Sequence, residues 1–149
     1  MKHVIYILGI AMLMVMAACS DFHASDNGKL DGFWQLTQAD TLANGRSEDM
    51  RPKQIFWSVQ ANLLKMEDLH AMLNTYPGIF FHFEMKDGKL RVYDPVLDNR
   101  EESDSIITSV ETLRFYGLGS LDETFAVLQL EETKMMLENE RLRLYFRKY

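Results

Sequence analysis

The sequence predicts an all-β domain: a small antiparallel up-and-down barrel or a compact sandwich of seven to eight strands, with one or two short helices. Three observations predict it. Apolar and polar residues alternate in several short runs, the period of a half-buried strand. Turn pairs such as Asp87-Gly88 separate these runs. Helical spacing is confined to two short stretches, too little for a helical core.

Val4 to Ala18 precedes that domain and behaves differently. It carries no charge and follows the basic start Met1-Lys2-His3. A run of this length matches a signal-peptide core, whereas a membrane-spanning helix needs about 20 apolar residues. The run ends in Met16-Ala17-Ala18-Cys19, and the chain turns polar at once. This junction resembles the lipobox of bacterial lipoproteins, an aliphatic residue and two small residues before a cysteine. Met16 departs from it mildly, since leucine is usual at that place. The resemblance implies cleavage between Ala18 and Cys19 and a diacylglycerol on the Cys19 sulfur. The chain would then be anchored to a membrane by acyl chains.

Three segments follow from this reading: a signal peptide over 1–18, a flexible tether over 19–29 and one domain over 30–149. The tether is polar and poor in β-branched residues. Acidic residues just after the cysteine tend to mark export to the outer surface in Bacteroides-type bacteria, and Asp21 and Asp26 match that partially. The expected location is the cell envelope, lipid-anchored to the outer membrane and either periplasmic or surface-facing.

The strands are predicted in order. Phe33 to Thr37 follows Gly32. Ile55 to Gln60 opens a longer strand that extends toward Lys65. Residues 67–76 are ambiguous, because Leu69, Met72 and Leu73 have helical spacing but Tyr76-Pro77-Gly78 closes the segment. Ile79, Phe81, Phe83 and Met85 share one face, with His82 and Glu84 on the other. Asp87-Gly88 turns the chain into Leu90, Val92 and Tyr93, and Asp94-Pro95 ends that strand. Asp98 to Ser105 is a charged loop without the glycine of a calcium loop. Thr108 to Glu111 matches a capping box, opening a short helix that Gly117 can end. Phe125 to Leu130, Lys134 to Leu137 and Leu142 to Phe146 complete the set. In the last, Arg143, Tyr145 and Arg147 face away from Leu142, Leu144 and Phe146.

Composition excludes several functions. The chain is 47% hydrophobic and 11% aromatic, too much for disorder. Its net charge is -6, and losing Lys2 with the leader makes that -7. Nucleic-acid binding needs clustered cations, so none is expected. One cysteine permits neither an intrachain disulfide nor a four-cysteine zinc site.

Gly32-Phe33-Trp34 matches the G-x-W motif of lipocalins. The wider layout is more specific: GFWQL, IFWSVQ, FHFEMKDGKLRVYDP, ETLRFYGLG, FAVLQLEETKMML and a terminal LRLYFRKY. It resembles the lipocalin-like lipoproteins of Bacteroides-type bacteria, a family without an assigned function. The resemblance implies a barrel whose closed end is plugged by Trp34 under an arginine of the last strand. Arg143 and Arg147 are the candidates.

Few residues could carry a reaction. His23, His70 and His82 are scattered, and His82 with Glu84 lacks a third metal ligand. No G-x-S-x-G, H-E-x-x-H, phosphate loop or C-x-x-C occurs. A non-enzyme without cofactor or metal is therefore expected, binding a small apolar ligand or an envelope protein. Adjacent Phe56 and Trp57 face opposite sides of one strand, so one could contact a ligand. The alternative is an accessory or glycan-binding module of a surface nutrient-uptake complex.

Overall fold

The structure, a computed structural model, describes residues 25–70, 78–98 and 105–149. Ten strands occur among them: β1 (Gly32–Thr41), β2 (Arg46–Asp49), β3 (Ile55–Gln60), β4 (Leu63–Asp68), β5 (Ile79–Lys86), β6 (Lys89–Leu97), β7 (Ser105–Ile106), β8 (Glu123–Leu130), β9 (Lys134–Glu138) and β10 (Leu142–Lys148). The only α-helix among the described residues is one turn, α1 (Glu111–Arg114). Eight strands follow the order β10-β9-β8-β6-β5-β4-β3-β1, and β1 pairs back onto β10. The sheet is thus a closed antiparallel barrel, with β2 added to β1 and β7 to β6. Closure removes the open edges that would template aggregation.

The core follows the alternation. Trp34 and Leu36 of β1, Ile55, Trp57 and Val59 of β3, Leu64 and Met66 of β4 and Phe81 of β5 all point inward. Leu90, Val92, Phe125, Leu137, Leu144 and Phe146 meet them from the other strands. Met85 continues the β5 face but is exposed, because it lies at the tip of the hairpin beyond the end of β4.

Three places depart from the predicted strands. Ile55 to Lys65 is not one strand. The chain turns at Ala61, which takes a φ of 53° without being glycine. Ser25 and Asn27 hold this turn: the Ala61 N–H donates to Ser25 Oγ at 2.9 Å and Asn27 Nδ2 donates to the Ala61 carbonyl at 2.7 Å. The expected flexible tether is therefore pinned from Ser25 onward, and Leu30 is buried.

The second departure is that Asp94-Pro95 does not end β6, which runs on to Leu97. The register with β5 slips between Phe80 and His82, so β6 carries an extra residue there. Asp94, at a φ of 54°, and Pro95 occupy that bulge. Proline is tolerated where the ladder needs no N–H. Similar slips occur in β1 at Leu36/Gln38 and in β8 at Val127/Gln129. Bulges bend strands, which helps a short barrel to close.

The third concerns the helix. Thr108 and Glu111 do not form the capping box. The cap residue is Val110, without a side-chain cap bond, and only Ser109 Oγ reaches the Glu111 N–H, at 3.4 Å. Gly117 does end the helix, with a φ of 95°. Two strands, β2 and β7, lie where none was expected. The Asp87-Gly88 hairpin forms as predicted, with both residues at positive φ.

Candidate functional site

The end of the barrel from which β1 starts is closed by Trp34, which is fully buried. Its indole N–H donates to the Leu30 carbonyl at 2.8 Å. The cation over the ring is Lys148, with Nζ 4.6 Å from the ring centroid. Lys148 also donates to the Lys29 carbonyl at 2.8 Å, tying the last strand to the turn before β1.

Neither Arg143 nor Arg147 takes the expected place. Trp34 lies opposite Lys148 in the ladder, whereas both arginines alternate onto the outward face. Arg143 donates to Glu138 Oε2 at 2.7 Å. Arg147 donates to Gln35 Oε1 at 3.1 Å and lies 5.0 Å from the Tyr149 ring. The parity of Leu144 and Phe146 extended to position 148 would have found the lysine. Gly32 is part of the same device. It has a φ of 127°, and a Cβ there would meet Lys148 Cε at 3.2 Å, so a bare backbone lets the lysine cross.

Phe56 and Trp57 do face opposite sides of β3, and both are buried. Phe56 stacks on Phe33, with centroids 4.4 Å apart, and Tyr149 covers it edge-on. Trp57 is inside the barrel against Phe125 and Phe146, at 5.8 Å and 4.9 Å. It therefore offers no exposed platform for a sugar ring, which removes the basis for reading it as a glycan contact. Its Nε1 has no hydrogen-bond partner among the described residues. These three rings fill mid-barrel.

The opposite end is where a cavity opens. A cleft of about 450 Å3 is lined by Ile79 and Leu97 at the strand ends and by Ile106, Ile107, Phe115 and Tyr116. Ile106 and Phe115 are 77% and 41% exposed, so the rim presents large apolar side chains to solvent. Burial, with the nearby carboxylates of Asp68 and then Glu67, pushes the Tyr116 hydroxyl up to about 12, so it is a neutral donor at physiological pH. Beside the cleft, Lys65 bridges Glu67 at 3.0 Å and Asp98 at 3.9 Å. The cleft is thus apolar, with one phenol and a paired charge cluster near it, a composition suited to an amphipathic molecule.

His82 Nδ1 lies 3.6 Å from Asp94, and His70 Nε2 is 3.1 Å from the Pro52 carbonyl. Among the described residues no three His, Cys, Asp or Glu side chains are grouped to hold a metal. Also among them, no helix is long and apolar enough to cross a membrane. Ala18, Cys19 and His23 lie outside the described residues.

A closed antiparallel barrel, plugged at one end by a G-x-W tryptophan and carrying an apolar cleft at the other, is the lipocalin plan. The chain belongs to the lipocalin-like domain family, whose model matches residues 13–149. It is similar to a lipocalin-like protein from Bacteroides uniformis, at 24% identity and a TM-score of 0.62, over 82% of this chain and 100% of that one. An uncharacterized protein from Bacteroides eggerthii is similar at 23% identity and a TM-score of 0.58, over 80% and 98%. At such identities the likeness to the two structures is one of fold. None of the curated proteins matches the chain.

Proposed function

We propose that this protein is a lipid-anchored lipoprotein of the cell envelope whose barrel binds a small apolar or amphipathic ligand at its mouth, without catalysis. The observation that carries the reading is the apolar cleft at the open end, rimmed by Ile106 and Phe115 and provided with the Tyr116 hydroxyl. Because Trp57, Phe125 and Phe146 fill mid-barrel, the ligand lies at the rim and not deep inside.

The anchor reading is supported by the uncharged leader, the small residues before Cys19 and the lack of any other cysteine. The family match begins at residue 13, so it spans the cysteine. Five residues lie between Cys19 and Ser25, a reach of at most about 20 Å. Ser25 is bonded to the β3–β4 turn at the closed end. On this reading the anchor tethers the barrel by its closed end, which leaves the mouth accessible.

Two measurements test the proposal. Native mass spectrometry of protein purified from its own host gives an added mass that Phe115→Asp abolishes; an apo mass in both overturns ligand binding. Fatty-acid labelling is lost in Cys19→Ala; unchanged labelling overturns the anchor.

A further inference from the structure

A groove of about 900 Å3 runs along the outside of the barrel, remote from the mouth. Tyr145 and Arg147 of β10 form its floor, Thr37 and Gln38 of β1 one side, and Gln129 and Lys134 the other. Arg147 and Lys134 stand directly opposite each other in the β9–β10 ladder. Both face outward, since Phe146 and Met135 beside them are buried in the core. Like charges directly opposite in a sheet destabilise it.

Glu48 and Asp49 also line the groove, but each is held by another cation, Lys53 and Arg51 respectively, at 2.8 Å. Arg51, Arg91, Arg114 and Arg143 each have a carboxylate within 3.2 Å. Among the described residues, neither Arg147 nor Lys134 has one within the 4.0 Å of an ion pair. Arg147 is positioned by neutral groups instead. Gln35, itself 5% exposed, accepts from Nη2, and the Tyr149 ring lies alongside. A guanidinium oriented by an amide keeps its charge for something else. Two further groups suit a hydroxylated ligand. Gln38 and Gln129 direct their amide N–H groups to Asp40 and Glu131, which leaves their oxygens as acceptors.

We infer that this groove binds a polar, hydroxyl-bearing molecule through a carboxylate or phosphate group held by Arg147 and Lys134. The site is independent of the mouth, with which it shares no lining residue.

Calorimetric titration of the full-length chain in detergent with D-glucuronate, inorganic phosphate and neutral D-glucose tests this. Either anion binds and glucose alone does not. Arg147→Gln and Lys134→Gln each weaken binding at least tenfold at unchanged near-UV circular dichroism, while Arg91→Gln does not. Binding of glucuronate alone places the anion on a sugar acid, and of phosphate alone on a phosphate ester. Should Arg147→Gln not fold, Lys134→Gln carries the comparison. No binding of either anion, or undiminished binding by the folded variants, overturns the assignment.

Discussion

Lys148 covers Trp34, with its ammonium 4.6 Å from the ring centroid and its hydrogens on the Lys29 carbonyl. One side chain thereby joins the last strand, the first strand and the turn that precedes it. Removing it as Lys148→Met costs the cation–π contact and one hydrogen bond, together about 1–2 kcal/mol. Gly32→Ala costs about 1–3 kcal/mol, because alanine cannot hold the φ of 127° and its Cβ meets the lysine. Urea midpoints measure both, and Arg147→Met leaves the Trp34 fluorescence unchanged.

The two tryptophans respond differently to the same substitution. Trp34→Phe leaves the Leu30 carbonyl without its donor, a loss of about 1–3 kcal/mol in addition to lost volume. Trp57→Phe removes an N–H that has no partner among the described residues. Trp34→Phe is therefore the more destabilising by at least about 1 kcal/mol in chemical denaturation. Equal losses would mean that the buried Trp57 donor is satisfied in solution.

Acid weakens the fold through carboxylates held below their usual range. Hydrogen bonds from Ser47, then Gln38 and Tyr145, lower Asp40, and the Arg91 guanidinium lowers Asp122. A carboxyl that is more acidic in the folded chain binds protons more readily when unfolded. Its contribution is thus complete above the ordinary carboxylate range near pH 4 and is lost as pH falls below it. Asp40→Asn flattens that limb of the urea midpoint plotted against pH from 2 to 6.

Alkali acts at one tyrosine. Tyr116 ionises at about 12 in the folded chain against an ordinary value of 10.0, so its contribution is present below pH 10 and lost as pH rises toward 12. Ultraviolet titration shows one late phenol, absent in Tyr116→Phe, whose stability also falls less between pH 10 and 12.

What the sequence reveals follows from where one residue type decides the outcome. Asp87-Gly88 announces its hairpin because both residues tolerate positive φ, and the alternation of Leu142 to Phe146 shows which side is buried. The turn at Ala61 is silent, since its support comes from Ser25 and Asn27 across 36 and 34 positions. Asp94-Pro95 misleads, because a bulge accepts the residues that otherwise end a strand. Arg143 and Arg147 are set aside by parity alone. The mouth is legible only in part: adjacent Phe115 and Tyr116 must face opposite ways, so one of them could rim a pocket, but Ile79, Leu97 and Ile107 look like ordinary core until the strands bring their ends together.

The pairing of β1 with β10 also sets an order of events. The seam joins Trp34 to Lys148, so the first strand of the barrel waits for the last one. Until β10 docks on β1 the sheet stays an open ribbon, and Trp34 lacks the lysine that covers it.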